Sequence, residues 1–166
     1  MKPRTILVII IAGILLGMSA YYFGSRLSSG DPAPAFDLPD TQGQHHTLQD
    51  FHGEVVLVYF WATWCGICQA ETPAIERLYQ EYRAKGLTLI SILEDKPHPE
   101  EALQAFRLHI PFTFPVLLDE FNAAADAYGN YGVPEFFLIG RDGVIIERIS
   151  GPLDESLRTK IEEVLK

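Results

Sequence analysis

The chain has 166 residues, enough for one globular domain with a short appendage. Its formal net charge is −9, and all 22 acidic residues lie after residue 30. Because an acidic domain repels phosphate backbones, the composition argues against a nucleic-acid partner.

The first element is an apolar run of 18 residues, at positions 6–23, preceded by Lys2 and Arg4. A run of this length can cross a bilayer as a helix, and it exceeds the apolar core of most signal peptides. Basic residues before the run favour a cytoplasmic N-terminus. We therefore expect residues 1–30 to form a single-pass anchor with its linker in a bacterial inner membrane, and residues 31–166 to form a domain that faces the periplasm. A cleaved signal peptide is the alternative.

The remaining residues predict strands that alternate with helices. Val55–Trp61 is a continuous apolar run, typical of a strand buried on both faces, and Leu87–Leu93 is expected to be a second buried strand. Helices are expected where apolar residues recur every three or four positions. The expected elements are a hairpin at 36–48, a strand at 55–61, a helix that starts at Cys65 and stops at about Gly86, a strand at 87–93, a helix marked by Leu103, Phe106 and Ile110, a strand at 115–118, a short helix at 121–128, a hairpin of strands 135–139 and 144–149, and a helix at 153–164. This order predicts an α/β fold with a mixed central sheet flanked by helices on both faces.

The most informative motif is Trp64-Cys65-Gly66-Ile67-Cys68, which holds the two cysteines of the chain at a predicted strand-to-helix junction. A Cys-x-x-Cys pair in this position is typical of a reversible redox dithiol. At the start of a helix, Cys65 lies near free N–H groups and the positive end of the helix dipole, which favour its thiolate. We therefore predict that Cys65 is the attacking thiol and Cys68 the resolving thiol. A structural disulfide would constrain little of the unfolded chain, and a closed zinc site would need two further ligands.

Residues 61–68 read Trp-Ala-Thr-Trp-Cys-Gly-Ile-Cys, and they are followed by Glu71 and Pro73 in a pattern that resembles the thioredoxin superfamily. Together with Gly-Val-Pro-Glu at residues 132–135, the pattern more closely resembles the membrane-anchored thiol-disulfide oxidoreductases of the TlpA, ResA and DsbE type. The resemblance covers about residues 31–166. It implies a thioredoxin-like fold with an added N-terminal β-hairpin and a central insertion.

The resemblance also implies roles for individual residues. Pro134 matches the family's cis-proline beside the dithiol, and Val133 would then present its backbone to an extended substrate peptide. Glu71 matches the acidic residue beneath the dithiol, where a half-buried carboxylate could carry the proton of the resolving thiol. Tyr59 stands where thioredoxin has a buried aspartate, so Glu71 is the remaining candidate for this proton. Trp64 is expected to be exposed beside the thiols and to contact the substrate.

The implied function is a thiol-disulfide oxidoreductase without a bound cofactor or metal. By resemblance, its partners are substrate proteins with disulfides, including apocytochrome c during cytochrome c maturation, and a transmembrane thiol donor of electrons. Gly66 and Ile67 add neither a charge nor an imidazole to stabilise the thiolate, which favours a reducing rather than an oxidising protein.

Three alternatives stay open at this point. The first is an oxidising thiol-disulfide oxidoreductase. The second is a copper-binding or copper-delivery module, which would combine the cysteines with one of the five histidines, although these form no convincing cluster in the sequence. The third is a peroxidase of the peroxiredoxin kind, whose pattern needs a proline and a threonine where this chain has Val58 and Ala62.

Overall fold

The computed structural model describes Gly13 and residues 27–166. Apart from Gly13, the expected anchor at residues 6–23 lies outside the described residues. Within the described residues, no helix combines the length and the apolar character that a membrane crossing requires. The anchor, and the division of the chain at residue 30, stay predictions.

Residues 27–166 form seven strands and four α-helices, with two short 3₁₀ helices at Leu48–Phe51 and Arg83–Lys85. The strands are β1 (Asp37–Pro39), β2 (His45–Thr47), β3 (Val55–Trp61), β4 (Leu87–Leu93), β5 (Val116–Leu118), β6 (Glu135–Ile139) and β7 (Ile145–Ser150). The α-helices are α1 (Gly66–Tyr82), α2 (Pro99–His109), α3 (Ala123–Ala127) and α4 (Glu155–Val164). Every strand and helix expected within residues 31–166 is present, and its ends differ from the expected ends by a few residues at most.

The central sheet has five strands in the order β5-β4-β3-β6-β7. Strand β3 pairs in parallel with β4, and β4 pairs in parallel with β5. Strands β6 and β7 join antiparallel on the other side of β3, which confirms the mixed sheet. Strands β1 and β2 form a separate antiparallel hairpin, as expected. The middle of the chain, from α2 to α3, adds β5 to the edge of the sheet, where the central insertion was expected.

All seven side chains of β3 are buried, which shows that helices or the hairpin cover both faces of the sheet. Successive side chains of a strand point to opposite faces. Leu57 and Tyr59 therefore belong to the core that contains residues of α1, α2 and α4. Val58 and Phe60 belong to the second core, which contains residues of α3 and the N-terminal hairpin. The continuous apolar run of β3 follows from this double burial.

One edge of the sheet collects the segments that carry the predicted functional residues. The parallel strands β3 and β4 end at the same edge, and the antiparallel strand β6 begins there. A backbone hydrogen bond of 3.0 Å from the N–H of Glu94 to the carbonyl of Trp61 joins the two strand ends. Functional residues of open α/β sheets commonly lie at the carboxyl ends of the parallel strands. The candidate site therefore lies at this edge of the sheet.

Candidate active site

Cys65 is the N-cap residue of α1, and the helix begins at Gly66. The backbone N–H of Cys68 donates to the Cys65 sulfur at an N–S distance of 3.1 Å. In the structure the two cysteines form a disulfide, with their Cα atoms 5.2 Å apart. Because the N–H groups and the dipole at a helix N-terminus stabilise negative charge, the same position favours the Cys65 thiolate after reduction.

The two sulfurs differ in their access to solvent. Cys65 is 7% exposed and Cys68 is fully buried, so a partner can reach only Cys65. This exposure is small for an attacking thiol. The side chains of Trp64 and Ile67 beside it are 68% and 51% exposed, and they surround the point of attack with apolar surface. The expected exposure of Trp64 is confirmed, whereas its contact with a substrate stays a prediction.

The loop between α3 and β6 brings a second segment to the dithiol. The Val133–Pro134 peptide bond is cis, as the resemblance implied. The Val133 carbonyl oxygen lies 3.6 Å from the Cys65 sulfur, although the two residues are 68 positions apart. Ile67 and the loop residue Tyr131, which is 82% exposed, line a groove of about 440 Å³ beside this carbonyl. We did not identify Tyr131 from the sequence, although an aromatic residue beside the Gly-Val-Pro-Glu motif was an available signal.

A buried carboxylate from the end of β4 holds the turn that precedes Cys65. The backbone N–H of Thr63 donates to Asp95 Oδ2 at 2.7 Å, and the Thr63 hydroxyl donates to Asp95 Oδ1. Gln69, on the first turn of α1, donates its side-chain amide to the Thr63 carbonyl at 2.7 Å. Asp95 is 4% exposed. These bonds fix the chain two residues before the N-cap, and Asp95 was not among the residues expected at the site from the sequence.

Glu71 lies one turn beyond Cys68 on α1 and is half-buried. Its Oε1 accepts the backbone N–H of Leu153 at 2.5 Å. Its Oε2 is buried and has no hydrogen-bond partner among the described residues. Burial raises the pKa of Glu71, although the bond from Leu153 acts in the opposite direction. This is the environment expected of a proton carrier, and the role of Glu71 in proton transfer stays a prediction.

Tyr59 belongs to the same core as the two cysteines. Its side chain is fully buried, and its hydroxyl has no hydrogen-bond partner within residues 27–166. Burial, and to a smaller extent the charge of Glu71, raises the pKa of Tyr59. The hydroxyl therefore stays protonated, and it is a neutral polar group within the electrostatic reach of Glu71.

The histidines of the N-terminal hairpin contact aspartates of the same hairpin. His45 Nδ1 lies 2.7 Å from Asp37 Oδ1, and His46 Nε2 lies 3.1 Å from Asp40 Oδ2. In the part of the chain that the structure describes, no three histidine, cysteine, aspartate or glutamate side chains form a group that could hold a metal ion.

The similarity to known proteins extends over most of the chain. The model of the AhpC/TSA family matches residues 29–148. The thiol-disulfide oxidoreductase ResA of Bacillus cereus is 34% identical over 167 aligned positions, which cover 98% of this chain and 93% of that protein. ResA of Geobacillus thermodenitrificans is 29% identical, with 96% and 92% covered. A crystal structure named for the thiol:disulfide interchange protein DsbE, from Chlorobium tepidum, has a TM-score of 0.77 at 32% identity, over 84% of this chain and 99% of that chain.

These similarities are not confined to the cysteines, because the aligned regions contain the whole sheet and the helices that cover it. They agree with a capped cysteine, a buried partner cysteine and a cis-proline loop that meet at one sheet edge. The chain therefore belongs to the AhpC/TSA family and is a thiol-disulfide oxidoreductase of the ResA and DsbE type, with its Cys-x-x-Cys pair at Cys65 and Cys68.

Proposed function

We propose that this protein reduces disulfides of partner proteins on the periplasmic side of a bacterial inner membrane, to which its N-terminal segment tethers it. The observation that carries the proposal is the position of the Cys65 sulfur. It accepts a helix N–H at 3.1 Å and lies 3.6 Å from the carbonyl of the cis-proline loop. A thiolate at the less buried of the two cysteines, beside the Val133 backbone carbonyl, suits attack on a disulfide held in an extended peptide.

The exchange proceeds in two steps. The Cys65 thiolate attacks one sulfur of the substrate disulfide, so that a Cys65–substrate bond forms and the substrate S–S bond breaks. The substrate sulfur that leaves takes up a proton. Cys68, deprotonated in turn, then attacks Cys65, which re-forms the internal disulfide and releases the second substrate thiol. Two electrons and two protons reach the substrate in total.

Glu71 serves the second step. Cys68 is fully buried, so water cannot remove its proton directly. The unpartnered, buried Oε2 of Glu71, one helical turn away, is a base whose raised pKa brings it closer to that of a thiol. Glu71 accepts the Cys68 proton as Cys68 attacks the mixed disulfide.

The substrate docks as an extended segment along the cis-proline loop. The Val133 carbonyl accepts a backbone N–H of the segment, in the manner of strand addition. Trp64 and the groove between Ile67 and Tyr131 receive apolar side chains next to the substrate cysteine, because these three side chains are the exposed apolar surface around Cys65. Apocytochrome c, whose haem-binding cysteines lie in an unfolded chain, is the substrate that the resemblance suggests.

A reductant in an oxidising compartment needs a source of electrons. We propose that a transmembrane thiol donor reduces the Cys65–Cys68 disulfide after each cycle. The apolar run at residues 6–23 and the basic residues before it support a tether that keeps the domain near this donor and near the membrane.

The test is to trap partners in the periplasm with Cys68→Ala, which leaves Cys65 in mixed disulfides that cannot be resolved. We expect trapped proteins that carry paired cysteines, with apocytochrome c among them. The double variant Cys65→Ser/Cys68→Ala is the matched control and should trap none. Equal trapping by both variants, or no mixed disulfide with either, would contradict the proposal. Extraction of the full chain with alkaline carbonate tests the tether separately, because an anchored chain stays in the membrane pellet.

A further inference from the structure

The cis-proline loop is held at its beginning by a carboxylate that the exchange chemistry does not use. The side-chain amide of Asn130 donates to Glu94 Oε1, and Asn130 Oδ1 accepts the backbone N–H of Gly132 at 3.1 Å. Asn130 is 5% exposed, so it has little freedom to change these partners. Glu94, directly after β4, is therefore connected through the Asn130 side chain to the backbone of Gly132, the residue before Val133.

The end of the same loop is held by an ion pair between Glu135 and Arg148. Glu135 Oε1 accepts Arg148 Nε at 2.8 Å and the Ser150 hydroxyl at 2.6 Å. Arg148 also donates to the carbonyl of Gly129 at 3.0 Å, so it joins both ends of the loop. Because this pair closes the loop independently, loss of the Glu94 contact should loosen the segment before Val133 without unfolding the loop.

We propose that Glu94 is a positioning residue for substrate docking, because through Asn130 it fixes the Val133 backbone against which the substrate segment pairs. The proposal rests on the proposed function of the Val133 carbonyl. It adds that docking of an extended substrate strengthens when the Glu94 carboxyl is ionised. A carboxylate accepts a hydrogen bond more strongly than a neutral acid does.

Three charged groups from neighbouring segments act on Glu94. They are Asp119 at the end of β5, Glu135 at the start of β6 and Lys96 two residues further along the chain. Burial, followed by the charge of Asp119, raises the pKa of Glu94 to about 7, whereas Asn130 and Lys96 act to lower it. The hydrogen bond from Asn130 favours the ionised form of Glu94. By linkage, ionisation of Glu94 strengthens this hydrogen bond. The contact with Asn130 is therefore stronger above neutral pH than below it.

The test compares two substrates in single-turnover reactions of the pre-reduced full chain. Insulin presents its disulfides in peptide segments that need the loop, whereas a small aromatic disulfide reports on the Cys65 thiolate alone. Formation of the Cys65–Cys68 disulfide is followed by tryptophan fluorescence. In Glu94→Gln, we expect the ratio of the insulin rate to the small-disulfide rate to fall about fivefold at about pH 8, because a charge-assisted hydrogen bond is about twice as strong as a neutral one.

At about pH 6, where wild-type Glu94 is mostly protonated, the ratios of Glu94→Gln and the wild type should agree within about twofold. Asn130→Ala should lower the ratio at both pH values, and adding Glu94→Gln to it should have no further effect. Glu76→Gln is the matched control. Glu76 also accepts loop N–H groups, those of Thr113 and Phe114, but among the described residues it has no hydrogen bond to the cis-proline loop.

A ratio in Glu94→Gln that equals the wild-type ratio at about pH 8, or a deficit that is the same at about pH 6, would overturn the proposal about Glu94 alone. An effect of Glu76→Gln as large as that of Glu94→Gln would overturn it too, because it would show a general response to lost carboxylates. Failure of the reduced wild type to react with insulin would instead overturn the proposed function, and the role of Glu94 with it.

Discussion

Two partly buried glutamates should respond to the same substitution with opposite changes in stability. The pKa of Glu94 rises to about 7, because burial and the charge of Asp119 disfavour its ionised form. Burial also acts to raise the pKa of Glu76, but hydrogen bonds from Thr113, Gln80 and Phe114 outweigh it, so the pKa of Glu76 is lowered. The folded protein thus favours neutral Glu94 and ionised Glu76.

The pH range over which Glu94 changes the free energy of unfolding follows from its pKa in the folded chain and in the unfolded chain. Between pH 4.5, the ordinary pKa, and about 7, the folded chain retains a proton that the unfolded chain has lost. The free energy of unfolding therefore falls as the pH rises through this range, and this effect is complete above about pH 7. With about 1.4 kcal/mol for each unit of pKa difference, the upper limit is about 3.5 kcal/mol. We expect about 2 kcal/mol, because the carboxyl is only partly removed from solvent.

Urea denaturation of the wild type, Glu94→Gln and Glu76→Gln between about pH 4 and pH 8 measures this effect. We expect Glu94→Gln to be about 2 kcal/mol more stable than the wild type at about pH 8 and equally stable at about pH 4. Glu76→Gln should be less stable at about pH 8, and its deficit should shrink as acid protonates the wild-type carboxylate. A Glu94→Gln variant that gains no stability at the higher pH, or keeps its gain in acid, would refute the reasoning.

Three further predictions concern the dithiol. Glu71→Gln should slow the resolution of the Cys65 mixed disulfide and remove one ionisation from its pH profile; an unchanged profile would exclude the proton role. Tyr59→Phe should move that profile to higher pH, because Glu71 loses a polar neighbour and its pKa rises further. Tyr128→Phe, which removes another buried, unpartnered hydroxyl from the opposite core, should leave the profile in place. Equilibration with glutathione should give a reduction potential closer to about −270 mV than to about −120 mV, and a value at the upper end would indicate an oxidising protein.

The sequence predicted the elements whose signals are local. The bounds of β3 follow from a continuous apolar run, because a strand buried on both faces favours apolar residues on both sides, and β4 has an apolar residue at five of its seven positions. The N-cap position of Cys65 follows from its place between such a run and an amphipathic helix. The cis-proline at Pro134 was expected only because the neighbouring motif resembles a known family, since no local pattern of apolar residues indicates it.

Only the tertiary structure revealed the residues that support the dithiol from a distance. Asp95 reaches Thr63 across 32 positions of the chain, and Asn130 reaches Glu94 across 36. Neither pair leaves a periodic signal, because each hydrogen bond exists only where the ends of separate strands meet at one sheet edge. The sequence by itself determined which sulfur pair reacts and how the elements follow one another. The fold decided which charges surround that pair, because burial and the distances between charges are set by packing and not by order along the chain.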